Sequence, residues 1–133
     1  MVLIDTSVFI AVERGRLDPA RIQELAGAGE TVAISAITLS ELLHGVHRAD
    51  SEARRAKREL FVSRATNDLP IVMIDAEVAR VHARLAAEFD RGGQTMGAHD
   101  LWIACSALVH GATVLTCDLR SFPRIPELPV IAC

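Results

Sequence analysis

Apolar residues in this chain gather into short blocks, and charged stretches with helical periodicity separate them. Met1 to Ile4 form the first block, TVAI (31–34) the second, IVMI (71–74) the third and ATVLT (112–116) the fourth. Short apolar runs bounded by turn signals read as buried strands. Val130 to Ala132 supplies a short fifth. The stretches between them predict helices over 7–14, 21–28, 35–48, 51–66, 76–91 and 98–110. Asp18-Pro19 opens the second of these, Ser35 and Asp75 are candidate N-caps, and Gly15, Gly92-Gly93 and Gly111 are stops.

In the third helix Leu39, Leu42, Leu43 and Val46 recur at the spacing of one helical face, which predicts a core stripe with Glu41 well off it. Val78, Val81, Leu85 and Phe89 line one side of the fifth helix. The sixth is apolar almost all round, with Leu101, Trp102, Ile103, Ala104 and Cys105 in succession, so it is buried or packed on a partner. Strands alternating with helices predict an α/β fold: a three-layer α/β/α sandwich around a central, mainly parallel sheet of four to five strands. The 133 residues predict one domain spanning 1–133, large enough for a core without staples.

Composition narrows the picture. Half the residues are hydrophobic and mean hydropathy is +0.29, yet charges interrupt every run well short of a membrane span. The N-terminus lacks a basic segment, apolar stretch and cleavage site, so no signal peptide and a cytoplasmic protein are expected. A net charge of −3 gives no general pull on nucleic acid. One Trp, four Phe and no Tyr argue against a base-stacking platform. The three cysteines, Cys105, Cys117 and Cys133, cannot all pair and show no CxxC spacing, so reduced thiols are expected, with Cys105 in the core.

The candidate chemistry lies in acids that topology gathers. In right-handed βαβ crossovers, helix N-termini share an edge with strand C-termini. Asp5 closes the first strand, Glu41 lies in the first two turns of the third helix, Asp100 in the first turn of the sixth, and Asp118 follows the fourth strand. All four are thus predicted on the edge where ligands bind in open α/β sheets. Each also has a local reading: Asp5 or Ser7 as a cap, Glu41 as a solvated side chain, Asp100 as a first-turn acid, Asp118 as a turn residue. Carboxylates packed together repel, and a divalent cation resolves that conflict; an all-oxygen set suits Mg²⁺ or Mn²⁺ rather than zinc. Thr6, Ser7 and Thr116 are placed to orient such ligands.

MVLIDTSVFI, AITLSELLHGV, GAHDLWIACSALVHGATVLTCD and SFPRIPELPV together resemble a PIN-domain ribonuclease, with the nearest likeness to the VapC-type toxins of toxin–antitoxin pairs. The resemblance spans nearly the whole chain. It implies a PIN-like fold and maps the family's acidic quartet onto Asp5, Glu41, Asp100 and Asp118. It further implies Mg²⁺- or Mn²⁺-dependent hydrolysis of RNA phosphodiesters, a homodimer, and inhibition by a cognate antitoxin. One site departs from a frequent family pattern: Asp118 stands where many members have Asn, and Ser121 where they have Asp. A possible fifth acid is therefore missing.

Other residues carry weaker signals. Arg48, Arg54, Arg55 and Arg58 are candidates for a phosphate path, with a solvated helix face as the alternative. His44 and His47 lack a third ligand at zinc-like spacing. His99 points about 100° away from Asp100 around the helix and reads as surface or interface. Trp102 and Phe9 read as core or interface anchors. Two other classes compete with the nuclease. A phosphotransferase using Asp5 is disfavoured by Ser7 where a second Asp belongs and by the absence of Lys after Lys57. A non-enzymatic module using its acids to bind a basic partner is separated by metal titration. Short helices such as 7–14 leave room for an apolar groove that fits a partner helix.

Overall fold

The computed structural model describes all 133 residues. Strand β1 (Val2–Ile4) leads into α1 (Thr6–Glu13), α2 (Ala20–Ala26) and β2 (Val32–Ser35). Then come α3 (Ala36–His47), α4 (Glu52–Thr66), β3 (Ile71–Val72) and α5 (Ala76–Arg91). Helix α6 (Ala98–Val109), β4 (Thr113–Thr116), a 3₁₀ turn at Phe122–Arg124 and β5 (Val130–Ala132) complete the chain. The strands lie in the order β3-β2-β1-β4-β5, and every pairing is parallel. This is the expected α/β/α sandwich.

Strand alternation divides the core in two. Val2, Ile4, Ile34 and Leu115 face one side, where Val8, Phe9, Leu42, Val46 and Val62 of α1, α3 and α4 meet them. Leu3, Ala33 and Val114 face the other, under α5, α6 and Phe122. Residues one apart on a strand point to opposite faces, so one three-residue strand feeds both layers. Side-chain caps set the helix starts at the sheet rim. Ser35 Oγ accepts from Thr38 N at 3.0 Å, and Asp75 accepts from the amides of Glu77 and Val78. Helix α6 is almost entirely interior, and its one buried hydroxyl, on Ser106, donates back to the Trp102 carbonyl at 2.9 Å.

Two local expectations change. The α3 stripe runs through Thr38, Leu42 and Val46, while Leu43 is exposed. This rotation brings Glu41, three residues past Thr38, beside the buried face rather than away from it. The third strand forms only at Ile71–Val72, because it is an edge strand bound to β2 alone through Ile34 and Ser35, and Met73 faces solvent.

The cysteines also depart from expectation. Parallel pairing of β5 with β4 sets Thr116 opposite Ala132, so the next residues, Cys117 and Cys133, lie side by side. Their Cα atoms are 5.0 Å apart and they form a disulfide. Cys105 alone is free; it is buried, and burial pushes its thiol up to about 11. Strand pairing between β4 and the chain's last residues, invisible in cysteine spacing, is what makes the bond. With a sequence separation of 16, the link closes a loop whose entropy is worth about 3 kcal/mol. Cys133→Ser, or reduction, is expected to lower the unfolding free energy by about that amount; denaturant titrations with and without dithiothreitol measure it.

His82 of α5 stacks on Trp102 of α6, with ring centroids 3.6 Å apart and planes 7° from parallel. Burial lowers the His82 pKa below its usual 6.5. The unfolded chain therefore takes up this proton first, so the stabilisation is complete above pH 6.5 and is lost as pH falls through the folded value. The melting temperature is expected to drop between pH 7.5 and 5.5, and His82→Phe to flatten that part of the profile, as calorimetry across the range would show.

Candidate active site

Asp5 sits where β1 ends, and its amide still pairs with Leu115 O of β4 at 2.9 Å. Only 5% of its surface is exposed. Every protein hydrogen bond its carboxylate accepts falls on Oδ2: from Ser7 N at 3.3 Å, Ser7 Oγ at 2.5 Å and Thr116 Oγ1 at 2.9 Å. Asp5 is therefore both the cap of α1 and a carboxylate with Oδ1 left unpartnered. Burial pushes its carboxyl above the usual range, bonds from Ser7 and Thr116 pull it back, and the negative charge of Asp100 raises it again. Ser7 Oγ in turn accepts from Cys117 N at 2.9 Å, which ties the loop after β4 to the same carboxylate.

Asp100 lies in the first turn of α6, a helix with no side-chain cap. Gly97 occupies the cap position. A Cβ there would stand 3.1 Å from Asp100 Oδ2, so the missing methyl makes room for the acid to lie against the helix start. The positive end of the helix dipole favours a carboxylate at that place.

Glu41 approaches from α3. Thr6 Oγ1 donates a short hydrogen bond to its Oε2, and His99 Nδ1 lies 2.9 Å from its Oε1. Thr6 thus orients Glu41, whereas Ser7 and Thr116 orient Asp5. His99 is exposed, as the sequence reading of a surface or interface residue has it, and its contact with Glu41 is an addition to that reading. A link between α3 and α6, spanning 58 residues, leaves no trace in local pattern. Asp118 follows β4 and is gripped by the guanidinium of Arg120, which holds its carboxyl down at about 2. Its amide bonds Thr116 Oγ1 at 3.0 Å. Ser121 makes no side-chain hydrogen bond; its carbonyl accepts from Arg124 N.

All four acids lie along the carboxyl rim of the sheet, but they are not equivalent. Asp5 and Asp100 interact directly through their charges, while Glu41 and Asp118 each have a partner of their own. No three acidic, imidazole or thiol side chains converge into a tight cluster. The Asp5–Asp100 pair is a donor set of the size a Mg²⁺-like ion uses, since such an ion keeps several waters and takes one or two protein carboxylates. A buried acid with one oxygen free of protein hydrogen bonds and a second negative charge nearby is the kind of donor such an ion would neutralise.

The basic residues are distributed unequally. Arg54 is paired with Asp50 at 2.7 Å and Arg55 with Glu52 at 3.5 Å. Arg58 is held by Glu13 at 2.9 Å and also donates to Gly45 O, so it bolts α4 to α1 and α3. Of the four arginines singled out in the sequence, Arg48 alone has no acidic partner, and it shares a cleft with Arg54, Lys57 and Arg58.

An α/β/α sandwich with acids along its carboxyl rim defines a class, and comparison supplies the family. The PIN domain matches residues 2–128, and the chain belongs to the PIN-domain family. Its relatives within that family are VapC ribonucleases. It is 34% identical over 129 residues to ribonuclease VapC1 of Rickettsia felis, covering 97% of this chain and 93% of that one. It is 32% identical to the tRNA(fMet)-specific endonuclease VapC of Salmonella typhimurium, covering 96% and 94%. Among solved structures it is similar to VapBC-5 of Mycobacterium tuberculosis, a member of the VapBC family of toxin–antitoxin systems. The TM-score is 0.79 at 31% identity, over 98% of this chain and 97% of that one.

The Gly97–Asp100 contact yields a test. Gly97 has φ −56° and ψ 132°, which alanine adopts freely, so Gly97→Ala is expected to fold normally. It shifts the Asp100 carboxylate slightly from its 3.1 Å approach, and since a misplacement of about 1 Å costs about 10²-fold, a severalfold loss of rate is expected. Unchanged melting with a lowered turnover is the expected pair of results.

Proposed function

We propose that this chain is a divalent-metal-dependent endoribonuclease and the toxin of a toxin–antitoxin pair. The observation that carries the reading is Asp5: a buried carboxylate with one oxygen clamped by two hydroxyls, the other bare, and Asp100 beside it. In this reading Asp5 and Asp100 are the principal holders of Mg²⁺ or Mn²⁺, Glu41 stands beside them on its Thr6 and His99 contacts, and Asp118, already neutralised by Arg120, is peripheral. Such an ion, when bound, supplies Lewis acidity toward a phosphate oxygen and a lowered pKa for water. The chain's own part is orientation. Ser7 and Thr116 fix the Asp5 carboxylate, Thr6 and His99 fix Glu41, and the start of α6 fixes Asp100. RNA as substrate follows the names of the relatives, and a cytoplasmic site of action goes with that reading.

The antitoxin reading has its own support. A groove of about 620 Å³ runs between α1, α2 and α4, lined by Phe9, Val12, Ile22, Leu60, Phe61 and Leu69. Leu60 within it is 52% exposed. An amphipathic helix of a partner fits a groove of this kind, and the VapBC-5 structure is described as a toxin–antitoxin system.

Cleavage of purified tRNA with Mg²⁺ or Mn²⁺ tests the activity. Asp5→Asn and Asp100→Asn are expected to abolish it, as is EDTA. Asn caps a helix as well as Asp, so Asp5→Asn should retain the fold by circular dichroism. Cleavage that persists in both variants, or in EDTA, rules the reading out.

A further inference from the structure

The acids that hold a cation also repel RNA, so a nuclease built this way needs positive charge beside them. The arginines of α4 are largely spent on acids. A different set is not. A cleft of about 630 Å³ opens from Ser7 and Asp118, and Arg14, Arg16 and Arg120 line it. Arg120 is committed to Asp118. Arg14 and Arg16 are exposed, and neither takes part in any ion pair. The acid next to Arg14, Glu13, is occupied by Arg58 at 3.0 and 2.9 Å.

The backbone holds these two residues in place. Gly15 has φ +66°, the left-handed conformation that favours glycine. Arg16 N donates to Ala11 O at 2.8 Å and Gly15 N to Val12 O at 2.9 Å. These are the two bonds of a Schellman motif. Arg14 and Arg16 flank its glycine, at the far end of the helix whose first turn grips Asp5. One short helix therefore carries the acid-clamping serine at its start and, at its end, two guanidiniums that form no ion pair.

We propose that Arg14 and Arg16 bind the phosphates of the RNA strand on one side of the scissile bond. This rests on the nuclease reading above, because it assigns the track by which the same site takes its substrate. Guanidinium groups suit phosphate through paired N–H donors. Single-stranded binding weakens with salt by about 0.7 log units per log unit of salt for each phosphate neutralised. Two contacts at 0.15 M salt then correspond to about tenfold in affinity.

The test uses a fluorescein-labelled single-stranded RNA, with binding followed by anisotropy in EDTA and cleavage followed separately with Mg²⁺. Arg14→Gln/Arg16→Gln is compared with Arg80→Gln/Arg91→Gln, which removes the same charge from α5. The expected result for the first pair is an apparent Kd and KM raised about tenfold at 0.15 M salt, a kcat within about twofold, and a salt slope reduced by about 1.4. The α5 pair should leave all three near wild type. Equal effects from the two pairs, or a lowered kcat with unchanged Kd, overturns the proposal. Binding that depends on Arg14 and Arg16 without any cleavage sustains the track and removes the nuclease reading instead. Gly15→Ala gives a second check: strain at the left-handed residue should weaken binding with both arginines intact.

Discussion

The structure depends on how one buried carboxylate is tolerated. Asp5 stands at the end of the central strand, almost out of solvent, where an unsupported charge is costly. Two hydroxyls and an amide converge on one of its oxygens, from the first turn of α1 and the end of β4. The position of β4 beside β1 is therefore an electrostatic requirement as much as a packing one. The remaining oxygen stays free, and a second acid raises the local negative potential. That pairing of a bare oxygen with a neighbouring acid is what the proposed cation would relieve.

Much of this was legible in the chain. The first three apolar blocks run into Asp5, Ser35 and Asp75 and then into helices, and this alternation gives both the sandwich and the rim where Asp5, Glu41, Asp100 and Asp118 lie. What escaped was contact between distant elements. The Glu41–His99 link joins α3 to α6, and the Cys117–Cys133 bond follows from a strand pairing that no cysteine spacing encodes. Leu43 looked like core because its spacing matched a helical face; the face in use passes through Thr38, a polar residue that hydropathy discounts. Thr38 is fully buried because its hydroxyl reaches Ile4 O, at 3.3 Å, on the neighbouring strand.

Charge on this molecule is sorted by context rather than by amount. Arg58 is structural, binding three helices together through Glu13 and the Gly45 carbonyl. Arg120 is a clamp on an acid. Arg54 and Arg55 are surface pairs within or beside one helix, worth little to stability. Clusters of basic residues in a sequence say nothing about which of these roles each fills; the acid within reach decides it.

The all-parallel sheet also gives the molecule a direction. The first strand enters from the rim opposite the acids, where the terminal ammonium of Met1 meets Glu30. The last strand leaves on the rim that carries them, and its final residue is bonded to Cys117, whose amide reaches Ser7 Oγ. Met1 and Cys133 thus lie at opposite poles of the sheet. Anything fused behind Cys133 hangs over the mouth of the acidic cleft, and anything fused ahead of Met1 trails away from it.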